Sequence, residues 1–325
     1  PTILPTTHHA SSHGLTVLNK LTDELRAALS TPIPSLRTPF TADGDVDWDG
    51  VRSQVDFVIA GGAQTIMITW GDSLHSVLTD DEVAQLARTV VEHSAGRAKV
   101  IAADNIWATP KAVAYAEYCA QIGADLLMLL PPNWAGSTTT ESLVTHFEAA
   151  GVHLPTMLVT AFFNQGGGTS VPASMEVIEA LHDRVDSVVA IKDDILGALG
   201  VQICSTVRPK WVVVSGGLMQ NHTFQVPWGV DGYLSMFMSF KPEISWQYFE
   251  AIQKGDYESA WETMRTYEAP LRHYMGTVRG GFNAMVHGIS ELYGISGRHL
   301  RAPYHTLTDD QMDELSGVLQ GLNLL

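Results

Sequence analysis

Eight short apolar runs recur along the chain, and a pattern typical of an amphipathic helix separates each run from the next. The strand-like runs are Pro32–Phe40, Thr65–Thr69, Val100–Ala103, Leu126–Leu130, Thr156–Val159, Val188–Ile191, Val212–Ser215 and Gly232–Ser235. The helical patterns between them are Trp48–Ala60, Asp80–His93, Pro110–Ile122, Thr140–Ala150, Ala173–His182, Ile195–Thr206 and Leu218–Trp228. Strands and helices in this alternation predict an α/β fold, the parallel (β/α)₈ TIM barrel.

A doubly wound open sheet is the alternative, because it uses the same alternation of strands and helices. The dinucleotide-binding form of that fold needs a G-x-G-x-x-G turn after the first strand, and none follows Pro32–Phe40. Gly166–Gly168 does not precede a strand-to-helix phosphate turn either. The barrel is therefore favoured, and 325 residues is a length that single barrels of this type reach.

The chain extends beyond the predicted barrel at both ends. Residues 1–14 are predicted to form a loose arm, and Thr16–Leu29 carries leucines at the spacing of an amphipathic helix that would cover the barrel floor. After the last strand only helical patterns follow, namely Pro242–Lys254, Tyr257–His273, Gly281–Tyr293 and Thr308–Leu319. We therefore predict an arm and helix at 1–30, a barrel at 31–240 and a C-terminal helical region at 241–325.

The composition excludes several classes of partner. A formal net charge of −16 would repel the phosphates of nucleic acid, and no apolar run reaches the length of about 18 residues that a membrane helix requires. The two cysteines, Cys119 and Cys204, lack metal-type spacing and are expected to be buried thiols. The N-terminus lacks the charged-then-apolar pattern of a signal peptide. These features predict a cytoplasmic protein that acts on a small molecule.

A lysine stands at the end of Val188–Asp194, where the apolar pattern predicts a strand buried on both faces. Only 19 of the 325 residues are Lys or Arg, so a lysine in such a position is unusual for this chain. Burial disfavours the charged form of an amine and favours the neutral nucleophile that attacks a carbonyl. The structural alternative is that Lys192 forms an ion pair with Asp193 or Asp194 at a strand end.

Polar side chains follow the predicted strands at their C-terminal ends, where barrels of this type carry their chemistry. We predict Lys192, Asp72 and His75 as catalytic residues. The predicted substrate-binding residues are Trp70, Ser73, Asn105, Asn133, Thr160, Asp193, Ser215 and Ser235. Their convergence on one lysine predicts a pocket with a few polar groups. The structural alternative is that residues such as Asp72 and Ser73 cap the following helix.

Motifs spread along the chain resemble one family. They are T-P-F-x-x-D-G-x-V-D at 38–47, I-K-D at 191–193, S-G at 215–216 and the region around Asn283. Over roughly residues 30–325 the chain is similar to the dihydrodipicolinate synthase / N-acetylneuraminate lyase family. The resemblance implies a class I aldolase-type barrel, usually a homotetramer, in which Lys192 forms a Schiff base with a 2-oxo acid such as pyruvate. It implies no metal or organic cofactor, because the iminium itself is the electron sink.

The chain departs from the family pattern at the positions that surround this lysine. Trp70–Leu74 stands in place of G-T-T-G-E, so Asp72 brings a negative charge to a region that should accept a carboxylate. Val159–Phe162 stands in place of Y-N-x-P, and valine cannot relay a proton as the family tyrosine does. Pro132–Trp134 replaces the second relay aromatic, and Phe163–Thr169 lacks the family arginine.

Losing a positioned acid–base group typically costs about 10² to 10⁴ in rate, so we expect a substitute for the tyrosine. The candidates are Asp193, Asp72, His75, Thr160 through a bound water, and Ser215. Asp72 and His75 are favoured because they lie on the loop that faces the imine.

The departures argue against the lysine-pathway synthase and favour a Schiff-base-forming lyase, aldolase or dehydratase with another carbonyl substrate. A ligand-binding or regulatory barrel, with Lys192 as an ion-pair partner, is the alternative that Val159 supports. A metal-dependent aldolase would need His75, Asp72 and Asp104 as ligands.

Overall fold

The computed structural model describes residues 20–166 and 170–325. The predicted arm at 1–14 and the beginning of the predicted helix Thr16–Leu29 lie outside the described residues. Of the described residues of that predicted helix, Asp23–Leu29 form α1 and residues 20–22 are not helical. The helix begins where the Thr22 hydroxyl accepts a hydrogen bond from the Leu25 N–H. Thr22 thereby satisfies one of the free backbone donors of the first turn.

The eight strands form one parallel sheet in the order β1-β8-β7-β6-β5-β4-β3-β2. A bridge between Ser35 and Met67 joins the first strand to the second and brings the two edges together. The strands are β1 Pro32–Ile33, β2 Thr65–Met67, β3 Lys99–Ala103, β4 Leu126–Leu129, β5 Thr156–Val159, β6 Val188–Asp193, β7 Val212–Ser215 and β8 Gly232–Leu234. The predicted (β/α)₈ barrel is confirmed.

Helices alternate with these strands and then continue alone. The barrel helices are α2 Trp48–Ala60, α3 Asp80–Ser94, α4 Thr109–Ile122, α5 Thr140–Gly151, α6 Val171–Arg184, α7 Gly197–Val207 and α8 Met219–Gln225. The C-terminal helices are α9 Pro242–Gln253, α10 Tyr257–Thr263, α11 Ala269–Met275, α12 Gly281–Leu292 and α13 Asp309–Gly321. Across residues 20–166 and 170–325, no helix combines the length and the apolarity needed to cross a bilayer.

Two elements differ from the sequence expectation, and proline explains both. The predicted first strand, Pro32–Phe40, forms a regular strand only at Pro32–Ile33 and continues as isolated bridges at Ser35 and Phe40, because Pro34 and Pro39 have no N–H to donate to a neighbouring strand. The predicted helix Tyr257–His273 is divided by a π-helical turn at Met264–Glu268, which lies just ahead of Pro270. A proline inside a helix removes one backbone hydrogen bond and clashes with the preceding turn.

The floor of the barrel is closed by α1. The Thr65 hydroxyl, at the start of β2, donates a hydrogen bond of 2.9 Å to the Ala28 carbonyl. At the start of β8, a side chain on Gly232 would lie 2.2 Å from the Leu29 carbonyl oxygen, so only glycine allows this close approach. The opening of the barrel therefore lies at the other end, where the strands terminate.

The C-terminal region is attached to that open end by Arg301. Its guanidinium donates two hydrogen bonds of 2.8 Å to the Glu82 carboxylate and one of 2.7 Å to the Gly44 carbonyl. A bidentate arginine–carboxylate pair fixes geometry as well as charge. Arg301 thus holds the C-terminal helices over the loops that surround the barrel mouth.

Candidate active site

Lys192 lies at the C-terminal end of β6 and reaches into a cavity of about 400 Å³ at the barrel mouth. In the sheet it pairs with Val159 of β5 and Val214 of β7, and only 7% of its surface is exposed. The cavity is lined mainly by Ser35, Arg37, Thr69, Trp70, Asp72, Met128, Leu130, Val159, Lys192, Asp194, Gly216, Leu218, Leu234, Met236, Met275 and Phe282. The lysine that the strand pattern indicated therefore has space for a small ligand beside it.

The Lys192 ammonium forms an ion pair with the Asp194 carboxylate. The structural alternative from the sequence was a pair of this kind, and it coexists with the cavity. Asp194 also lines the cavity and donates its backbone N–H to the Thr160 hydroxyl at 2.8 Å. Side chains on a strand alternate between its two faces, so residues 192 and 194 share the cavity side. Asp194 was not among the predicted site residues, which were chosen by their position at strand ends. The alternation of side chains along the strand could have identified it.

Asp193 points the other way and supports the loop after β6. One of its carboxylate oxygens accepts hydrogen bonds from the Thr160 hydroxyl and from the backbone N–H groups of residues 195 and 196. The other oxygen accepts a hydrogen bond of 2.8 Å from the Gln225 amide. Burial raises the pKa of Asp193, and the hydrogen bonds from Thr160 and the backbone offset this effect only in part, so the net pKa is raised. The contacts of Asp193 and Thr160 are thus to protein groups and not to the cavity.

Arg37 is the cavity residue that the sequence pattern did not predict. It lies just after β1, is 4% exposed, and its guanidinium stacks 4.7 Å from the centre of the Phe282 ring. Its Nη1 lies 3.0 Å from the Asp72 carboxylate. Its Nε has no hydrogen-bond acceptor among the residues that the structure describes, whereas Nη1 is engaged by the ion pair with Asp72. An arginine inside an otherwise apolar run was the available signal in a chain with so few cations.

Asp72 is held in its ionised form by this arrangement. Burial, the largest influence, raises the pKa of Asp72, but the Arg37 charge, the Ser35 hydroxyl and the Lys192 charge together outweigh it. The net effect lowers the pKa of Asp72 below its usual value. The negative charge that Asp72 brings to the loop after β2 is therefore balanced by Arg37 and does not face the cavity alone.

His75, the third predicted catalytic residue, does not line the cavity. It is almost fully buried, and its Nδ1 lies 3.2 Å from the Asp104 carbonyl oxygen. Burial lowers the pKa of His75 to about 4, so the ring is neutral near pH 7. Within the described part of the chain, no three His, Cys, Asp or Glu side chains form a metal-binding group, so His75, Asp72 and Asp104 do not assemble as ligands.

The remaining predicted binding residues divide between the cavity and its support. Trp70 lines the cavity and donates its indole N–H to the Asn105 side-chain oxygen at 2.8 Å. The Ser73 hydroxyl donates to the Leu36 carbonyl, and the Ser235 hydroxyl lies 2.7 Å from that of Ser245. The structure therefore brings Trp70 to the ligand space and uses Asn105, Ser73 and Ser235 to hold neighbouring segments.

Asn133 and Ser215 complete the predicted set, and neither lines the cavity. The Asn133 side-chain oxygen accepts hydrogen bonds from the Thr138 N–H and hydroxyl. Ser215 is fully buried at the end of β7, and its hydroxyl has no hydrogen-bond partner among the described residues.

Two loops beside the lysine carry backbone strain. Leu196, after β6, has φ 63° and Leu218, after β7, has φ 64°. Bulky side chains avoid this left-handed region, and each such residue costs about 1–3 kcal/mol. Strain of this kind is concentrated at functional sites, where surrounding structure maintains it. Its position in the loops after β6, which carries Lys192, and after the neighbouring β7 supports the assignment of the cavity as the site.

Chemically, the site combines a buried amine, a carboxylate in contact with it, and a guanidinium whose Nε–H has no acceptor among the described residues. Val159 pairs with Lys192 in the sheet and lines the cavity at the position where the family resemblance implies a tyrosine, and no tyrosine is among the described residues that line the cavity. Apolar side chains such as Met128 and Leu234 form the remaining walls. Such a site can bind an anionic carbonyl compound and form a covalent imine with it.

Comparison with known proteins agrees with this geometry. Residues 28–322 match the model of the dihydrodipicolinate synthetase family. The chain is 29% identical over 308 residues to a Streptomyces coelicolor protein named probable 5-dehydro-4-deoxyglucarate dehydratase 1, covering 91% of this chain and 95% of that one. It is 28% identical over 247 residues to the 4-hydroxy-tetrahydrodipicolinate synthase of Psychrobacter arcticus, covering 73% and 78% of the two chains. A prophage protein of the dihydrodipicolinic acid synthase family from E. coli K12 has been solved in complex with pyruvate. It superposes on this chain with a TM-score of 0.78 at 25% identity, and the match covers 91% of this chain and 99% of that one.

Proposed function

The chain belongs to the dihydrodipicolinate synthetase family, whose members are class I aldolase-type lyases and dehydratases, and we propose that it forms a Schiff base through Lys192 with a 2-oxo acid. The observation that carries the proposal is the position of the Lys192 amine, at the end of β6 and inside the cavity of about 400 Å³. Asp194 contacts the Lys192 amine on one side, and the cavity lies beside the pair.

Arg37 supports an acid as the substrate. A nearly buried guanidinium that lines the cavity, with an Nε–H that has no acceptor among the described residues, is matched by a carboxylate, which accepts charge-assisted hydrogen bonds. Asp72 fixes the guanidinium through its contact with Nη1. We propose that the carboxylate of the substrate binds Arg37 while its carbonyl carbon meets Lys192, with Trp70 and the apolar walls around the remaining atoms.

The physiological reaction is proposed to be cleavage or dehydration of an oxo acid and not the lysine-pathway condensation. The Streptomyces relative is named for a dehydratase of a glucarate derivative that is itself an oxo acid. Val159 in the cavity wall supports a proton path that differs from that of the tyrosine-containing members of the family. His75, which the cavity does not reach, is proposed to have a supporting role.

We further propose that the protein is a cytoplasmic homo-oligomer, a tetramer by family resemblance. Trp134, Phe224 and Trp228 expose 84%, 64% and 50% of their surface, and large exposed apolar side chains are typical of subunit contacts. Cys119 and Cys204 are both free and buried, which fits a reducing compartment.

Borohydride trapping tests the function. The purified protein is incubated with pyruvate and with longer 2-oxo acids, reduced with sodium borohydride, and weighed by intact mass spectrometry. We expect one adduct per chain, mapped to Lys192 by peptide analysis and lost in Lys192→Arg, which keeps the charge but is not a nucleophile at neutral pH.

Lys99, which pairs with Glu24 and Asp125 away from the cavity, provides the matched control as Lys99→Arg, and this variant should label as the wild type does. Absence of any adduct across the series would refute the proposal and favour a non-covalent binding protein.

A further inference from the structure

We propose that Asp194 is the acid–base residue of the Lys192 imine, in the place of the family tyrosine that this chain lacks. The inference rests on the proposed Schiff-base function, and it assigns the proton transfers of that chemistry to one carboxylate. The observation behind it is the direct contact between the Asp194 carboxylate and the Lys192 amine, at a point where both line the ligand space.

The other acid–base candidates are occupied elsewhere. Asp72 lines the cavity but is paired with Arg37 at 3.0 Å. Asp193 is fully buried and directed into the loop that it supports. His75 lies outside the cavity lining. Among the described residues, Asp194 is the carboxylate that combines contact with the amine and access to the ligand.

The surrounding residues hold the Asp194 carboxylate in place. The backbone N–H of Asp194 donates a hydrogen bond of 2.8 Å to the Thr160 hydroxyl, and that hydroxyl donates a hydrogen bond of 3.0 Å to the Asp193 carboxylate. The carboxylate itself lies over the α-carbon of Gly216, where a side-chain carbon would come within 1.8 Å of Oδ1. Glycine at 216 therefore creates the space that the carboxylate occupies.

The proton transfers balance within the pair. The Lys192 ammonium gives a proton to the Asp194 carboxylate, and the neutral amine forms a bond to the carbonyl carbon as the carbonyl electrons move to oxygen. That oxygen takes the proton back from Asp194. The carboxylate then removes a proton from nitrogen and returns it to the hydroxyl, which leaves as water and gives the iminium.

After imine formation the Asp194 carboxylate is free again. It removes a proton from the carbon next to the iminium, the C–H electrons form a carbon–carbon double bond, and the C=N π electrons move to nitrogen to give the enamine. Each transfer uses a group that is already in the site, so no further reactant is required. A carboxylate in contact with the nitrogen is also within reach of the adjacent carbon of a small keto acid, which is the geometry general base catalysis requires.

The experiment measures exchange of the methyl protons of pyruvate for deuterium in D₂O by proton NMR, together with borohydride trapping of the same samples. Asp194→Asn is nearly isosteric and removes only the proton-accepting oxygen. We expect it to slow exchange about 10²- to 10⁴-fold while pyruvate still traps on Lys192 after long incubation. Gly216→Ala, which displaces the carboxylate, should slow exchange in the same direction, and Asp194→Glu should restore part of the rate.

Two outcomes overturn the inference and are distinguishable. If Asp194 only neutralises the charge of Lys192, its removal makes the neutral amine easier to form, and Asp194→Asn will exchange pyruvate protons as fast as the wild type or faster. That result refutes the role of Asp194 and leaves the Schiff base intact. If the wild type neither traps pyruvate nor exchanges its protons, the proposed function fails and this inference fails with it. Thermal melts of each variant show whether it is folded.

Discussion

Replacing Arg37 by methionine should weaken binding of acids to the site by about 100-fold. The guanidinium lines the cavity, its Nη1 is paired with Asp72, and its Nε has no acceptor among the described residues. A hydrogen bond between charged groups contributes about 1.5–3 kcal/mol, so the charge-assisted contact between Arg37 and a carboxylate contributes up to about 3 kcal/mol. Since 1.4 kcal/mol corresponds to about a factor of ten in affinity, the loss is about two orders of magnitude. Methionine keeps a long apolar side chain against Phe282.

The assay compares pyruvate with pyruvamide, which has the same carbonyl but no charge. The concentration that gives half-maximal borohydride labelling is measured for both compounds in the wild type, Arg37→Met and Arg37→Lys. We expect the Arg37→Met value to rise about 100-fold for pyruvate and less than about threefold for pyruvamide. Arg37→Lys should be intermediate, because lysine keeps the charge but not the planar fork. Equal losses for the two compounds would refute Arg37 as the carboxylate anchor and indicate general damage to the site.

Two further predictions concern the stability of the C-terminal helices. His287 is fully buried with both ring nitrogens unpartnered among the described residues, and burial, reinforced by the Arg37 charge, lowers its pKa to about 3. This folded-state pKa lies below the unfolded value of about 6.5, so the wild type loses stability as the pH falls below 6.5. Urea denaturation of His287→Leu should therefore show a free energy of unfolding about 1–3 kcal/mol higher than that of the wild type at pH 7.5, and a gain about 2 kcal/mol larger at pH 5. A gain independent of pH would contradict the assigned pKa shift. A side-chain carbon on Gly288 would lie 2.8 Å from Leu315 and 2.9 Å from Leu307, so Gly288→Ala should lower the free energy of unfolding by about 1 kcal/mol. In the control Gly317→Ala the new methyl group meets no atom within 4 Å, and the free energy of unfolding should rise by up to about 1 kcal/mol. Equal effects of the two alanines would contradict the packing around α12.

The barrel could be predicted from the sequence because its strands are short, apolar and separated by helical patterns. The bounds of Thr156–Val159 and Val212–Ser215 agree with the predicted runs residue for residue. Prediction failed in detail at Pro32–Phe40 and Tyr257–His273, where local apolar periodicity continues but proline interrupts the backbone hydrogen bonding. Periodicity reports which residues are buried, whereas element boundaries depend on which N–H groups can be satisfied.

The candidate site could be predicted only in part. Position at a strand end brought Lys192, Asp72 and Trp70 to the cavity, because the C-terminal ends of all strands meet there. Side-chain direction distinguishes Asp194, which faces the cavity, from Asp193, which faces away from it. Assigning that direction requires knowledge of where strand β6 ends. Arg37 could not be assigned from strand ends alone, because its partner Asp72 comes from a different loop and the pair forms only in the folded barrel.

A crystal structure of the protein soaked with pyruvate and reduced with borohydride tests the central claim most directly. We predict continuous electron density from the Lys192 Nζ to the central carbon of the ligand, with the ligand carboxylate at hydrogen-bond distance from the Arg37 guanidinium and Asp194 beside the new C–N bond. Pyruvate held without a covalent bond, or attached to another amine while the Lys192–Asp194 pair stays closed, would contradict the claim that this lysine is the nucleophile of the family reaction.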